Sequence, residues 1–256
     1  MTSQRTLLFR DGFAAGPDRW EPRPDAADGR ATTGPDGLDV VPAGVDPATG
    51  RPAFARPTGP EPPSAFLRWA AVARATASSG LPGFDARDGE LLSCSAELAV
   101  EVDGTPGVPG QPAADVKAGA GALLAFDRAS GMVFDFALTR STVYAIYERL
   151  PGGGHHAFSC AVPLGPARPG DFHHCELGLD PAAGTVRWTL DGTPRLTVDR
   201  IGEQVFDEPE RLLWTVPGRV RPATVRQLAF GLALLADRPT GQGVRLRARS
   251  VTVTTG

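Results

Sequence analysis

The chain has 256 residues, among them 31 glycines and 25 prolines, with 41% hydrophobic and 21% charged residues. Gly and Pro at that frequency exclude long helices, and the apolar content excludes a disordered chain. The formal charge of −3 offers no electrostatic basis for nucleic-acid or anionic-membrane partners, and the length suits one all-β domain, 1–256, with a core large enough to dispense with disulfides.

In chain order, residues 1–63 carry eleven prolines, with short apolar pieces at Thr6–Phe9 and Leu38–Pro42. The expectation is a proline-rich extended wrap over a sheet. The N-terminal stretch MTSQRTLLFRDGF has no apolar run of signal-peptide length, and nothing approaches a membrane span, so a cytoplasmic protein is expected. Lys117 is the only lysine, which reflects a GC-rich coding genome more than a function. Residues 64–76 fit a helix by composition and a strand from Phe66 equally well. Ser95–Asp103 alternates Glu97, Glu101 and Asp103 with Ala96, Leu98, Val100 and Val102, the pattern of a half-buried strand. Residues 103–121, rich in Gly, Pro and Ala, read as a mobile loop.

The centre of the chain reads as hairpins. GMVFDFAL (131–138) and VYAIYERL (143–150) flank the turn Thr139–Thr142. HHCELGLD (173–180) and TVRWTL (185–190) follow, and Asp191-Gly192 has the signature of a type I′ turn, where both residues need positive φ. In QLAFGLALLAD (227–237), Leu228, Phe230, Leu232 and Leu234 alternate with Ala229, Gly231 and Ala233. The large residues belong to a core. The small face, Gly231 above all, meets either a close backbone or a bound molecule. Along 243–254 the apolar phase shifts between Ala248 and Val251, which predicts a β-bulge at Arg249–Ser250. The fold class is all-β: an antiparallel jelly-roll sandwich or a closed β-barrel.

The stretch DFHHCELGLDPAAGTVRWTLDG (171–192) resembles a strand pair of concanavalin-like glucanases and laminin-G-like domains. Laminarinase-like glucanases carry catalytic carboxylates as Glu-x-Asp-x-x-Glu. The nearest counterpart, MVFDFAL (132–138), keeps Asp135 but has Val133 and Leu138 at the glutamate positions. The segments 40–54, 78–94, 131–151 and 168–180 resemble an uncharacterised family of all-β bacterial proteins, related in turn to β-barrel spiroacetal cyclases of polyketide antibiotic pathways. That resemblance implies a cofactor-independent natural-product cyclase acting on a small hydrophobic substrate. The alternatives are a non-catalytic carbohydrate-binding domain and a glycoside hydrolase or lyase with rearranged carboxylates.

The residues themselves nominate a site. With Leu138 opposite Val143, Asp135 faces Ile146, Ala137 faces Tyr144 and Val133 faces Glu148, so Asp135, Tyr144 and Glu148 share one face on an apolar background. Two carboxyl groups in such surroundings suit general acid–base catalysis, with Tyr144 positioning an oxygen. Trp69, Glu97, Trp214 and Gly231 are the expected substrate-binding residues. His155, His156, His173 and His174 with Cys160 and Cys175 lack metal-ligand spacing, and no metal is expected. Cys94, Cys160 and Cys175 cannot all pair.

Overall fold

The computed structural model describes residues 5–54, 66–104, 111–237 and 243–256. The proline-rich first segment forms β1 (Thr6–Asp11), β2 (Trp20–Ala27), β3 (Gly29–Gly34) and β4 (Gly37–Pro42), then the two-residue β5 (Gly44–Val45) and β6 (Pro52–Ala53). Next come β7 (Leu67–Ala73), β8 (Phe84–Asp85), β9 (Leu92–Asp103) and the helix α1 (Pro112–Ala118). Central strands are β10 (Ala120–Asp127), β11 (Met132–Leu138), β12 (Thr142–Arg149) and β13 (Ala157–Pro166). The chain finishes with β14 (His173–Asp180), β15 (Thr185–Leu190), β16 (Thr193–Val198), β17 (Leu212–Val216), β18 (Gln227–Leu235) and β19 (Gly243–Thr255).

Two antiparallel sheets stack as a jelly-roll sandwich. One has eight strands, ordered β16-β15-β14-β9-β19-β4-β3 with β1 also on β19. The other has nine, ordered β17-β13-β12-β11-β10-β18-β7-β2 with β8 on β18. Among the described residues neither sheet closes on itself, so the architecture is the sandwich and not the barrel. Nor is any helix there long and apolar enough to cross a membrane.

The core between the sheets takes every second residue, as a two-residue strand period requires. Phe134, Phe136 and Leu138 of β11, Val143, Ala145 and Tyr147 of β12, and Leu228, Phe230, Leu232 and Leu234 of β18 enter it from one side. Leu98, Val100, Leu177, Trp188 and Val253 enter from the other. The Asp191-Gly192 turn adopts the expected positive φ values of 51° and 75°. The β9–β19 register shifts between Ala248 and Val251, placing the bulge where the apolar phase changes.

Two expectations are corrected. The first segment does not merely lie over a sheet; it supplies β1, β3 and β4 to the eight-stranded sheet and β2 to an edge of the other. Pro22 and Pro24 are tolerated because β2 is an edge strand, where a missing N–H costs little. The loop at 103–121 contains α1, whose Pro112 occupies the first turn, where proline is preorganised for a helix. Of that loop, 105–110 lie outside the described residues.

Candidate functional site

The outer face of the nine-stranded sheet carries a second, smaller apolar cluster that includes Ala122, Leu124, Ala137, Ile146, Ala161 and Ala233. Asp135 and Glu148 are set into it. The hairpin adopts the simplest register: Asp135 opposite Ile146, Val133 opposite Glu148 and Ala137 opposite Tyr144. Asp135 and Glu148 are therefore diagonal neighbours on adjacent central strands, roughly 7–8 Å apart between backbones. The row through Glu148 continues to Ser159 and Trp214 on one side, and through Val133 to Phe126 on the other.

Asp135 is 8% exposed, and its Oδ1 accepts a hydrogen bond from the Ala125 main-chain N–H at 2.8 Å. The β10–β11 ladder lapses there: Leu123 pairs with Phe136 and Phe126 with Val133, with no pair recorded between. The freed amide turns to the carboxyl group. Behind it, the buried Trp188 indole donates to the Asp135 carbonyl at 3.1 Å across the core.

Burial dominates the electrostatics. It pushes the Asp135 pKa well above the ordinary carboxyl range, with the Glu148 charge acting in the same direction and the Ala125 amide against it. Burial also raises Glu148 to about 7. The pair thus offers one carboxyl group biased toward the neutral acid and one that titrates near neutrality, an arrangement suited to proton donation and acceptance.

The other expected site residues divide. Trp214 lies in the Glu148 row and is half-buried. Tyr144 shares the face, but its hydroxyl donates to Asp115 Oδ2 of α1 at 3.0 Å, so it holds the helix instead of aiming at the carboxyl pair. Thr139 donates to the same oxygen at 2.8 Å. Trp69 is buried in the inter-sheet core, on the opposite face of the sheet from Asp135. Glu97 sits on the other sheet, opposite His174, and takes no part in this face. Gly231 is opposite Leu124, and a Cβ there would come within 2.7 Å of the Ala71 carbonyl oxygen. Close packing of β18 on β7 therefore accounts for this glycine without a ligand.

Sequence reading did not find Ser159, Phe126 or Asp115. Ser159 alternates with the core residues Phe158 and Cys160, but only the β12–β13 register brings it to Glu148. Beside Phe126, a cleft of about 760 Å³ opens, lined by Glu21, Arg23, Val72, Arg74 and Arg128 among others. Among the described residues, no group of three His, Cys, Asp or Glu is placed to hold a metal. His156 Nε2 bonds to Gln204 at 2.8 Å and His173 Nδ1 to Asp191 at 2.9 Å, on different sheets. The three thiols are buried and unpaired, and burial raises the pKa of each.

Comparison with known proteins agrees with this architecture. A family model described as a family of unknown function (DUF6081) matches residues 8–256. An uncharacterized protein, L829, of Acanthamoeba polyphaga mimivirus is 26% identical over 183 residues, covering 48% of this chain. The match takes in 42% of that protein, so the chain spans less than half the length of this curated relative. Among solved structures, an endo-1,3-beta-glucanase from Streptomyces sioyaensis aligns over 100% of this chain and 98% of its own, with 15% identity and a TM-score of 0.54. An alginate lyase A1-II′ variant aligns over 93% and 94% with 12% identity and a TM-score of 0.49. The glucanase likeness is one of fold: the concanavalin-like jelly roll.

Proposed function

The chain belongs to DUF6081, a family of unknown function, and on that premise we propose that it is a carbohydrate-active jelly roll that cleaves a glycosidic bond on the outer face of its nine-stranded sheet. One observation carries the reading. Glu148 stands directly across the ladder from Val133, the position at which the Glu-x-Asp-x-x-Glu strand would bear its first glutamate. The missing carboxyl group thus returns from the neighbouring strand, one residue diagonal from Asp135. Leu138, at the third position, enters the core and contributes nothing to this face.

Two carboxyl groups flanking a scissile bond are what glycoside hydrolysis requires. Asp135, held toward its neutral form, gives a proton to the leaving glycosidic oxygen as the C–O bond breaks. Glu148, which ionises as pH rises through about 7, takes the proton of the water that adds to the anomeric carbon. Trp214 and Phe126 flank the pair and present rings for sugar faces. The likeness of fold to a glucanase supports a polysaccharide as the substrate class.

The reading is tested by incubating the protein with neutral and acidic polysaccharides and separating the products. New reducing ends from wild type, lost in Asp135→Asn, support it. Binding without cleavage favours the non-catalytic carbohydrate-binding alternative. A spiroacetal-type cyclase would use the same two carboxyl groups on the same apolar floor of Leu124, Ala137 and Ile146. It takes second place because the sandwich provides no barrel interior for an apolar polyketide.

A further inference from the structure

Away from the carboxyl pair, the β10–β11 turn, the β12–β13 loop and residues 221–224 border an open pocket of about 520 Å³. Arg128, Arg149, Arg221 and His155 line it, and among the described residues no aspartate or glutamate does. The nearest acid in the turn, Asp127, is occupied by the Ala129 and Ser130 amides at 3.0 and 3.3 Å and the Ser130 hydroxyl at 2.7 Å.

Arg149 is the unusual member. It is 4% exposed, and its Nη1 donates to the carbonyls of Gly202 at 2.8 Å and Arg221 at 2.6 Å. Its Nε–H has no acceptor, and among the described residues no carboxylate pairs with it. Burying a guanidinium without a counter-charge is costly. Burial lowers the Arg149 pKa, and the charge on Arg221 acts in the same direction.

The loop is shaped to bring further donors in. Gly153 has φ of 54°, and a Cβ there would lie 3.6 Å from both Arg221 Nη2 and His155 Nδ1. The two side chains therefore converge over one residue of the Gly152–Gly154 run. His155 Nε2 donates to the Leu150 carbonyl at 2.9 Å, which fixes the ring; Nδ1, at its other edge, becomes a donor to an anion when the ring is an imidazolium. We propose that this pocket binds a tetrahedral oxyanion, a phosphate or sulfate group, through Arg128, Arg149, Arg221 and His155. Such a group supplies the counter-charge that Arg149 lacks, and several N–H donors around a compact dianion match its acceptor geometry.

The anion has two sources of the same chemistry: a free ion, or a sulfate or phosphate ester on a glycan. Arg128 lines both this pocket and the cleft beside Phe126, so a substituent on a seated glycan reaches it. The pocket does not depend on glycan cleavage, and its test reads anion binding alone.

The experiment is calorimetric titration of the full-length protein with inorganic phosphate and with sulfate, with chloride as control, repeated on Arg221→Ala, Arg128→Ala and Arg149→Met. Saturable binding of one or both dianions, weakened about ten-fold or more in Arg221→Ala and in Arg128→Ala, is the expected result. Arg149→Met removes carbonyl contacts; should it not fold, the other two variants decide. No saturable binding of either dianion, or binding unchanged in both Arg221→Ala and Arg128→Ala, overturns the proposal. A sulfated oligosaccharide that binds more tightly than inorganic sulfate identifies the ester as the source, and equal or weaker binding identifies the free ion.

Discussion

The Trp188 indole N–H reaches across the core to the Asp135 main-chain carbonyl at 3.1 Å, so the eight-stranded sheet fastens the backbone beneath the candidate acid of the nine-stranded one. Replacing Trp188 by Phe keeps a ring and deletes this donor to a buried carbonyl. Chemical denaturation is expected to show a loss of about 1–3 kcal/mol, the usual penalty for such a group. Unchanged stability would show that the carbonyl finds another donor.

Tyr144 serves the helix. Tyr144→Phe removes one of two donors to the buried Asp115 carboxylate, and is expected to lower stability by about 1 kcal/mol and to speed hydrogen exchange in α1. The shape of any pH–rate profile should stay the same. A displaced limb in that profile would return Tyr144 to the chemistry.

Gly231 is where packing and ligand readings of one residue part. Its Cβ would meet the Ala71 carbonyl oxygen at 2.7 Å, so Gly231→Ala must push β18 and β7 apart. A loss of about 1–3 kcal/mol is expected from such overpacking. A variant of wild-type stability that binds substrate poorly would instead place Gly231 at the site.

Stability should depend on pH through Glu148. Its folded pKa, near 7, lies above the ordinary carboxyl value, so between those values the folded state holds a proton that the unfolded chain has lost. The sign follows: the contribution of Glu148 to stability is fully present below the ordinary value and is lost as pH rises toward and through 7. Glu148→Gln should erase that loss, gaining on the order of 3 kcal/mol at pH 8 relative to wild type and little at pH 4. Urea denaturation of both proteins at the two pH values reads the difference. An equal gain at both would attribute the effect to packing.

Much of the fold was legible because strand periodicity and turn chemistry are local. The alternation in 227–237, the Asp191-Gly192 turn and the phase shift at Ala248–Val251 each specify a face or a register without reference to distant residues. The register of β11 on β12 followed from the Thr139–Thr142 turn, which the Thr139 main-chain N–H closes by donating to the Thr142 carbonyl at 2.9 Å, while the Thr142 amide donates to the Thr139 hydroxyl at 3.1 Å. That register brought Asp135, Glu148 and Tyr144 to one face.

What was not legible is non-local. Pro22 and Pro24 reveal β2 as an edge strand only once its neighbour β7 is known. Trp69 has the same composition context as a cavity residue and enters the core because β7 presents Ala70 and Val72 to the outer face instead. The lapse in the β10–β11 ladder that gives Asp135 an amide partner leaves no trace in the order of residues.

The central claim is that Asp135 and Glu148 work as an acid–base pair on a glycan. The most direct measurement is reducing-end release from a cleaved polysaccharide between pH 5 and 8, by wild type and by folded Glu148→Gln. The account predicts a wild-type rate that falls as pH drops below about 7, where Glu148 takes up its proton, and a loss of roughly 10²–10⁴-fold in the variant. A variant that cleaves as fast as wild type, with the same pH profile, would contradict it.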